Sequence, residues 1–322
     1  MTEANIPVDE TSDRPLGGRG FFRGHGLGND YLVVDEGSVW RLTPDAVRGL
    51  CDRWHGVGSD GVVLVHRGET EPFRLRGFNP DGSEFERSGN GLRVVAAHLF
   101  RSGRVGADPF FVEIGGDRVQ MQVHGADGRG EYDVSVDMGM ARTGDEAVGF
   151  RRVASQAPEG LPERLAQGLP EGLIELPETG PLAGELVSVG NPHCVIFGAL
   201  EPWPALERSE LERLGSAVTA HEAFANGVNV QLARITAPDT LEVMVWERGV
   251  GATSASGTSA CAVAVGAVAS GRVPPGEKRI CMEGGDLLVH VDAQLNVVLR
   301  GPVRAICDGE LDTGFCRGLT GR

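Results

Sequence analysis

Glu86-Arg87-Ser88-Gly89-Asn90-Gly91, followed by the apolar run Leu92 to Phe100, decides the fold of this chain because it occurs a second time in another spelling. Ser254-Ala255-Ser256-Gly257-Thr258 leads into Ala260-Cys261-Ala262-Val263-Ala264-Val265. Each stretch sets a small hydroxyl side chain just before a glycine, where the pattern predicts the N-terminus of a buried helix. The first backbone N–H groups of a helix lack partners within it, and the helix dipole favours a negative charge there. Two such ends aimed at one cleft would grip a carboxylate and put one hydroxyl on each side of the atom beside it. Proton removal from one face and delivery to the other is the work of a cofactor-independent racemase or epimerase.

Composition narrows the field. The 322 residues suffice for one large or two ordinary domains. A hydrophobic share of 41% and a mean hydropathy of −0.11 allow a packed core in a soluble protein. The formal net charge of −15 repels phosphate backbones, so nucleic acid is not expected as a partner. No apolar run reaches membrane-spanning length and residues 1–19 lack the apolar core of a signal peptide, so no membrane partner and a cytoplasmic location are expected. The six cysteines, Cys51, Cys194, Cys261, Cys281, Cys307 and Cys316, form no Cys-x-x-Cys pair and read as scattered thiols. No His, Cys or carboxylate cluster has metal-ligand spacing, so no metal is expected. The one lysine, Lys278, lies in a charged, turn-like segment after two prolines. That argues against pyridoxal phosphate, which needs a lysine for its Schiff base.

The order of elements repeats along the chain. The first half predicts strands at Tyr31–Val34, Gly61–Val65 and Phe73–Phe78, with helices over Pro44 to Trp54 and Gly89–Arg101. Strands near Phe110–Ile114, Val119–Val123 and Tyr132–Asp137 follow. Residues 156–185 are rich in Pro, Gly and Glu without periodicity and read as a loop excursion or irregular insert. The second half predicts strands near Leu186–Val189 and Cys194–Phe197, a helix from about Ala205 to Val218, and strands near Val228–Arg234 and Leu241–Trp246. A helix from Gly257 to about Ser270 is apolar all round, as a central helix wrapped by a sheet would be. Strands near Arg279–Met282, Asp286–Val291 and Asn296–Arg300 complete the order.

Seven motifs, taken in order, carry a resemblance. They are Gly24-His25-Gly26-Leu27-Gly28-Asn29-Asp30-Tyr31, Gly56-Val57-Gly58-Ser59-Asp60-Gly61, Phe78-Asn79-Pro80-Asp81-Gly82-Ser83-Glu84 and Ser88-Gly89-Asn90-Gly91 in the first half. Gly190-Asn191-Pro192-His193, Asn226-Gly227-Val228-Asn229 and Glu247-Arg248-Gly249-Val250-Gly251 follow in the second. The first alone could pass for a dinucleotide loop, but its glycines are spaced Gly-x-Gly-x-Gly and a strand follows them. Together they resemble the diaminopimelate epimerase family from about residue 21 to 313.

The resemblance implies an α/β (α+β) fold of two pseudo-symmetric domains, each a mixed sheet around a central apolar helix, with the active site at the domain interface. Residues 1–19 would be a disordered tail, 20–142 the first domain (joined by 301–322) and 143–300 the second. A meso/LL amino-acid substrate and no cofactor are implied. Whether the chain forms a homodimer stays open. Asn79, Asn191, Asn229 and Arg248 would hold the distal carboxylate and Glu247 the distal ammonium. A guanidinium fork and amides suit a carboxylate, and a carboxylate suits an ammonium. Taken singly, an Asn could cap a turn and Glu247-Arg248 could be a surface ion pair. Backbone N–H groups of Gly89, Asn90, Gly257 and Thr258 would bind the reacting carboxylate, with Asn29 near the reacting ammonium. His193 follows the family pattern, and as a lone histidine it could equally be a structural hydrogen-bonder.

The chain departs from the family at the two acid/base positions. Cysteines normally stand there, and here they are Ser88 and Ser256. A helix N-terminus can lower a thiol's pKa, whereas a serine hydroxyl is a far weaker acid that needs an adjacent base. No such base lies beside either serine in sequence, since Arg87 and Ala255 cannot serve; His193 might reach one of them in space. Three readings follow: a natural serine-bearing branch, an epimerase with both thiols deliberately replaced, or an amino-acid-binding protein that has lost proton transfer. Within enzymes, an isomerase of another amino acid is the alternative.

Overall fold

A computed structural model of the chain describes residues 19–37, 41–68, 70–85, 87–151, 173–176, 180–198 and 208–320. The tail expected over 1–19 falls outside these residues except for Arg19. So do 152–172 and 177–179, which include most of the expected insert, and 205–207 of the expected second-half helix. Among the described residues no helix is long and apolar enough to cross a membrane. The chain divides into two compact units, one running to Asp137 and resumed from Arg300, the other Met138–Leu299.

The first unit contains β1 (Gly20–Gly26), β2 (Asn29–Asp35), α1 (Pro44–Cys51), β3 (Val62–Val65), β4 (Phe73–Phe78), β5 (Glu84–Phe85), α2 (Gly89–Arg101), β6 (Phe110–Ile114), β7 (Asp117–Ala126) and β8 (Glu131–Met140). β1 and β2 form a hairpin closed by Leu27 and Gly28, both at positive φ (51° and 93°). That two-residue turn matches the natural twist of paired strands. β1 is a strand that its glycines had hidden. The His25–Asn29 motif therefore has strands on both sides, and it is the absence of a following helix that separates it from a dinucleotide loop. α1 stops at Cys51, short of the expected Trp54, because the Asp52 carboxylate accepts the N–H groups of Trp54 (2.8 Å) and His55 (2.9 Å).

The second unit contains β9 (Arg142–Thr143), α3 (Asp145–Val148), β10 (Leu173–Leu176), β11 (Gly180–Ala183), β12 (Glu185–Ser188), β13 (Pro192–Phe197), α4 (Arg208–Thr219), β14 (Asn229–Ala237), β15 (Thr240–Glu247), β16 (Gly251–Thr253), α5 (Gly257–Ala269), β17 (Gly276–Met282) and β18 (Gly285–Val291). Within the segment expected to be irregular, Leu173–Leu176 and Gly180–Ala183 are the antiparallel pair β10–β11. The last strand, β19 (Asn296–Glu310), runs on past Arg300 to pair with β1, Gly20 opposite Glu310, and α6 (Thr313–Thr320) ends the described chain.

The repeat is explicit in the pairings. In the first unit β1–β2 is antiparallel, β2–β3 parallel, β3–β4 and β4–β5 antiparallel, β4–β6 parallel and β6–β7 antiparallel. In the second, β12–β13, β13–β14, β14–β15, β15–β16, β15–β17 and β17–β18 follow the same six steps. The buried helix falls at the same step in each, α2 between β5 and β6, α5 between β16 and β17. Both helices have 13 residues, begin just after a serine in extended conformation, and end in Ser-Gly-Arg-Val, residues 102–105 and 270–273. Gly103 and Gly271 take the left-handed conformation (φ 69° and 70°) that terminates a helix.

Each helix is the centre of its own unit. α2 is buried from Gly89 to Leu99 against β1, β2, β3 and β7, and α5 lies against β12, β13, β14, β15, β17 and β18. α2 carries the polar side chains Arg93 and His98 inward. His98 stacks on Phe22 and bonds Asp35 (3.0 Å), while Arg93 donates to Asn90 Oδ1. A second apolar cluster joins Leu32, Val47, Leu50, Val62 and Phe78 in the first unit, matched by Leu186, Ile196, Leu211, Leu214 and Val230 in the other.

Candidate active-site residues

Ser88 is the N-cap of α2. Its Oγ accepts the Gly91 N–H at 3.1 Å, and the helical ladder begins with Leu92 N–H donating to the Ser88 carbonyl at 2.9 Å. Gly89 and Asn90 lie ahead of that first ladder bond, so their N–H groups are the ones a bound anion would meet. Asn90 turns its side chain back along the motif, its Nδ2 donating to Asn29 Oδ1 at 3.0 Å. Asn29 in turn donates from Nδ2 to Asp60 Oδ2 at 3.0 Å. A Cβ on Gly26 would sit 2.9 Å from Asn90 Oδ1 and 2.7 Å from Arg93 Nη2, so only glycine leaves room for this arrangement.

A charged layer supports Asn29. Asp60 also accepts the Asp30 N–H (3.1 Å), and Arg53 spans Asp30 Oδ1 (2.8 Å) and Asp60 Oδ1 (2.7 Å). Arg23 holds the other oxygen of Asp30 at 2.8 Å through Nε. Burial works to raise the Asp30 carboxyl, and the hydrogen bonds from Arg53 and Arg23 outweigh it, holding the group below the ordinary carboxylate range. Asp30, Asp60 and Arg53 were not singled out from sequence, although the two aspartates lie inside the motifs quoted for the resemblance. Asn79 stands outside this network, in the turn after β4, where its Nδ2 donates to Ser83 Oγ at 3.0 Å.

Ser256 occupies the equivalent place before α5, with Ala260 N–H donating to its carbonyl at 3.0 Å. Gly257 and Thr258 precede that first ladder bond. Its side chain, unlike that of Ser88, makes no cap, although the residue is only 6% exposed. The two serines thus share a backbone setting and differ in what their hydroxyls touch.

The remaining second-unit residues group around β13 and β14, where His193 pairs with Asn229 in register. Asn229 Nδ2 donates to the Pro192 carbonyl (3.1 Å), and its Oδ1 accepts the Arg248 N–H (2.9 Å). The Arg248 guanidinium donates to the Asn226 carbonyl at 2.7 Å and is exposed. Glu247, half-buried, precedes it at the end of β15.

His193 is fully buried, with both ring nitrogens engaged. Nε2 lies 2.9 Å from Asn191 Oδ1, and Nδ1 lies 3.0 Å from Gln231 Nε2, which also donates to Ser259 Oγ at 3.0 Å. Because Gln231 donates, Nδ1 accepts and the proton sits on Nε2, pointing at the Asn191 carbonyl. That fixes the Asn191 amide with its NH₂ outward, the orientation a carboxylate ligand requires. No ring nitrogen is left for a serine hydroxyl. Gln231, missed in sequence, sits two residues beyond Asn229 on the same strand face, and only that alternation could have flagged it.

Burial lowers the His193 ring to about 3, and the Arg248 charge acts in the same direction. In the unfolded chain a histidine titrates near ~6.5, so between these values the unfolded state binds a proton that the folded state refuses. Stability from this group is complete above the unfolded value and is lost as pH falls toward the folded one. Urea unfolding at pH 7, 6, 5 and 4 is expected to show a pH dependence steeper by about 1.4 kcal/mol per pH unit than that of His193→Gln. Parallel profiles would show that the ring is protonated in the folded protein.

The sequence model of the family described as diaminopimelate epimerase matches residues 21–144 and 185–306. A diaminopimelate epimerase of Bacillus pumilus is 34% identical over 294 residues, covering 90% of this chain and 97% of that protein. One from Synechococcus sp. (strain JA-3-3Ab) is 38% identical over 298 residues, covering 90% and 96%. Among solved structures, a hydroxyproline epimerase from Agrobacterium vitis with bound trans-4-hydroxy-L-proline superposes with a TM-score of 0.61 at 15% identity, covering 91% of this chain and 92% of that one. A PhzF-family phenazine biosynthesis protein from Bacillus anthracis superposes at 0.60 and 15% identity, covering 91% and 99%. At these identities the structural likeness shows a shared fold.

Proposed function

The chain belongs to the diaminopimelate epimerase family, and from that premise we propose that it binds diaminopimelate and moves its α-proton without a cofactor, as a step of lysine and cell-wall precursor synthesis. The observation that carries the reading is the doubled helix start. Ser88 and Ser256 each stand just before a buried helix whose first two N–H groups precede the ladder. In this reading Gly89, Asn90, Gly257 and Thr258 take the reacting carboxylate through those N–H groups, which offset the negative charge that grows as the α-proton leaves. Ser88 serves one face of the α-carbon and Ser256 the other. Asn29, locked by Asn90 and Asp60, stands by the reacting ammonium.

Asn191, Asn229, Arg248 and Asn79 take the distal carboxylate, and Glu247 takes the distal ammonium. His193 acts here through Asn191, whose amide it orients, and does not exchange a proton itself. With hydroxyls in the acid/base positions the transfer is slow, since an alcohol ionises far less readily than a thiol.

The test is nuclear magnetic resonance of LL- and meso-diaminopimelate in heavy water, alongside calorimetry of binding. Micromolar to millimolar binding with slow exchange of the α-hydrogen is the expected result. Binding without any exchange would leave an amino-acid-binding protein, and absence of binding would remove the substrate assignment.

A further inference from the structure

Tyr31 reaches across from β2 to the first catalytic position. Its hydroxyl lies 3.0 Å from Ser88 Oγ, a contact between residues 57 apart in sequence. The ring is 7% exposed and held in a fitted slot. It stands edge-on to Phe85, with centroids 6.0 Å apart at 85°. A Cβ on Gly61 would come within 2.5 Å of the ring, and one on Gly91 within 3.3 Å. Those two glycines let the phenol lie against β3 on one side and the first turn of α2 on the other. With Gly91 N–H also on Ser88 Oγ at 3.1 Å, that oxygen has two fixed neighbours and one direction left for a ligand.

The repeat of the fold sharpens the contrast. Gly28-Asn29-Asp30-Tyr31 opens β2 as Gly190-Asn191-Pro192-His193 opens β13, so Tyr31 and His193 occupy matching positions. His193 is spent on Asn191 and Gln231. Tyr31 is spent on the serine. The device is therefore one-sided.

Resting on the epimerase reading above, we infer that Tyr31 is the proton-holding partner of Ser88, a positioning residue through which the serine exchanges its proton. The balance is simple. When Ser88 Oγ takes the α-proton, its own hydroxyl proton passes to the Tyr31 phenolate oxygen, and the C–H electron pair stays on the α-carbon. In the reverse sense Ser88 delivers its proton to that carbon and Tyr31 refills it. The pair ionises at the phenol, because a phenol is a far stronger acid than an alcohol.

The experiment isolates the Ser88 face. All proteins carry Ser256→Ala, and α-hydrogen exchange from diaminopimelate into heavy water is followed from pH 7 to 10. Tyr31→Phe keeps the ring in its slot and is expected to lower exchange by about 10²-fold or more, with KM changed less than about threefold. It is also expected to abolish a rise of rate with pH that the tyrosine form shows. In a Ser88→Cys background, where the thiolate forms unaided, Tyr31→Phe should cost less than about threefold.

An equal loss in both backgrounds would overturn the inference, because the phenol would then matter only as packing. So would an unchanged rate, or a tyrosine form that binds diaminopimelate and exchanges nothing. Calorimetry showing no binding by any of the four proteins would instead remove the substrate reading itself.

Discussion

Replacing both serines at once, Ser88→Cys with Ser256→Cys, is expected to raise the rate of epimerisation by about 10²–10⁴-fold, the usual worth of a general acid–base group. Burial alone works against a thiolate. Cys194, enclosed in β13, has its thiol pushed up to about 12, with the Glu185 charge adding to the effect. Positions 88 and 256 differ from it in standing at helix N-termini, beside N–H groups that stabilise the anion. Single replacements should fall short, because each face needs its own working group. They should also be unequal. Ser88 already has the Tyr31 hydroxyl at 3.0 Å and Ser256 has no cap bond to lose, so Ser256→Cys alone should help more than Ser88→Cys alone.

Stability should divide the other way. Ser88→Cys weakens a cap on Gly91 worth about 1 kcal/mol, whereas Ser256→Cys loses none. Stopped-flow or isotope-exchange rates and chemical denaturation of the three variants check both statements. A serine protein as fast as the double cysteine form would sink the idea that hydroxyls handicap the transfer.

The sequence disclosed the two buried helices well and the side-chain relations poorly, for physical reasons. α2 runs over Gly89–Arg101 as its pattern required, since a serine cap, an apolar run and a closing Ser-Gly are all local signals. β1 was invisible because Gly20, Gly24 and Gly26 lower its strand propensity; pairing with β2 and β19 forms it. β19 extends through Pro302 for the same reason, its partner β1 lying nearly the whole chain away. The β10–β11 pair carries Pro181 in its second strand, a residue that argues against a strand assignment. Tyr31 read only as a strand residue, and Gln231 as one of many polar positions. Their roles depend on contacts across 57 and 38 residues, which no local period records.

Arg248→Ala is expected to weaken diaminopimelate binding by about 10–100-fold, because a hydrogen bond to a charged group is worth roughly 1.5–3 kcal/mol. The loss should be confined to the ligand. The exposed guanidinium donates only to the Asn226 carbonyl among its recorded bonds, and the Arg248 N–H that holds Asn229 survives in the alanine variant. Unfolding free energy should therefore move by less than about 0.5 kcal/mol, as for other surface substitutions. Arg248→Lys should recover only part of the affinity, since an ammonium keeps the charge and loses the planar fork that grips two carboxylate oxygens.

Lysine, which shares the amino-acid end and a distal ammonium but has no distal carboxylate, is the discriminating ligand. Wild-type protein should prefer diaminopimelate to lysine by at least about the same 10–100-fold factor, and Arg248→Ala should cut that preference sharply while leaving lysine binding unchanged. If calorimetry finds the wild type binding both ligands equally, the distal carboxylate is not being read. The substrate would then be an amino acid with a single carboxylate, and Asn191, Asn229 and Arg248 would be holding only each other's turns.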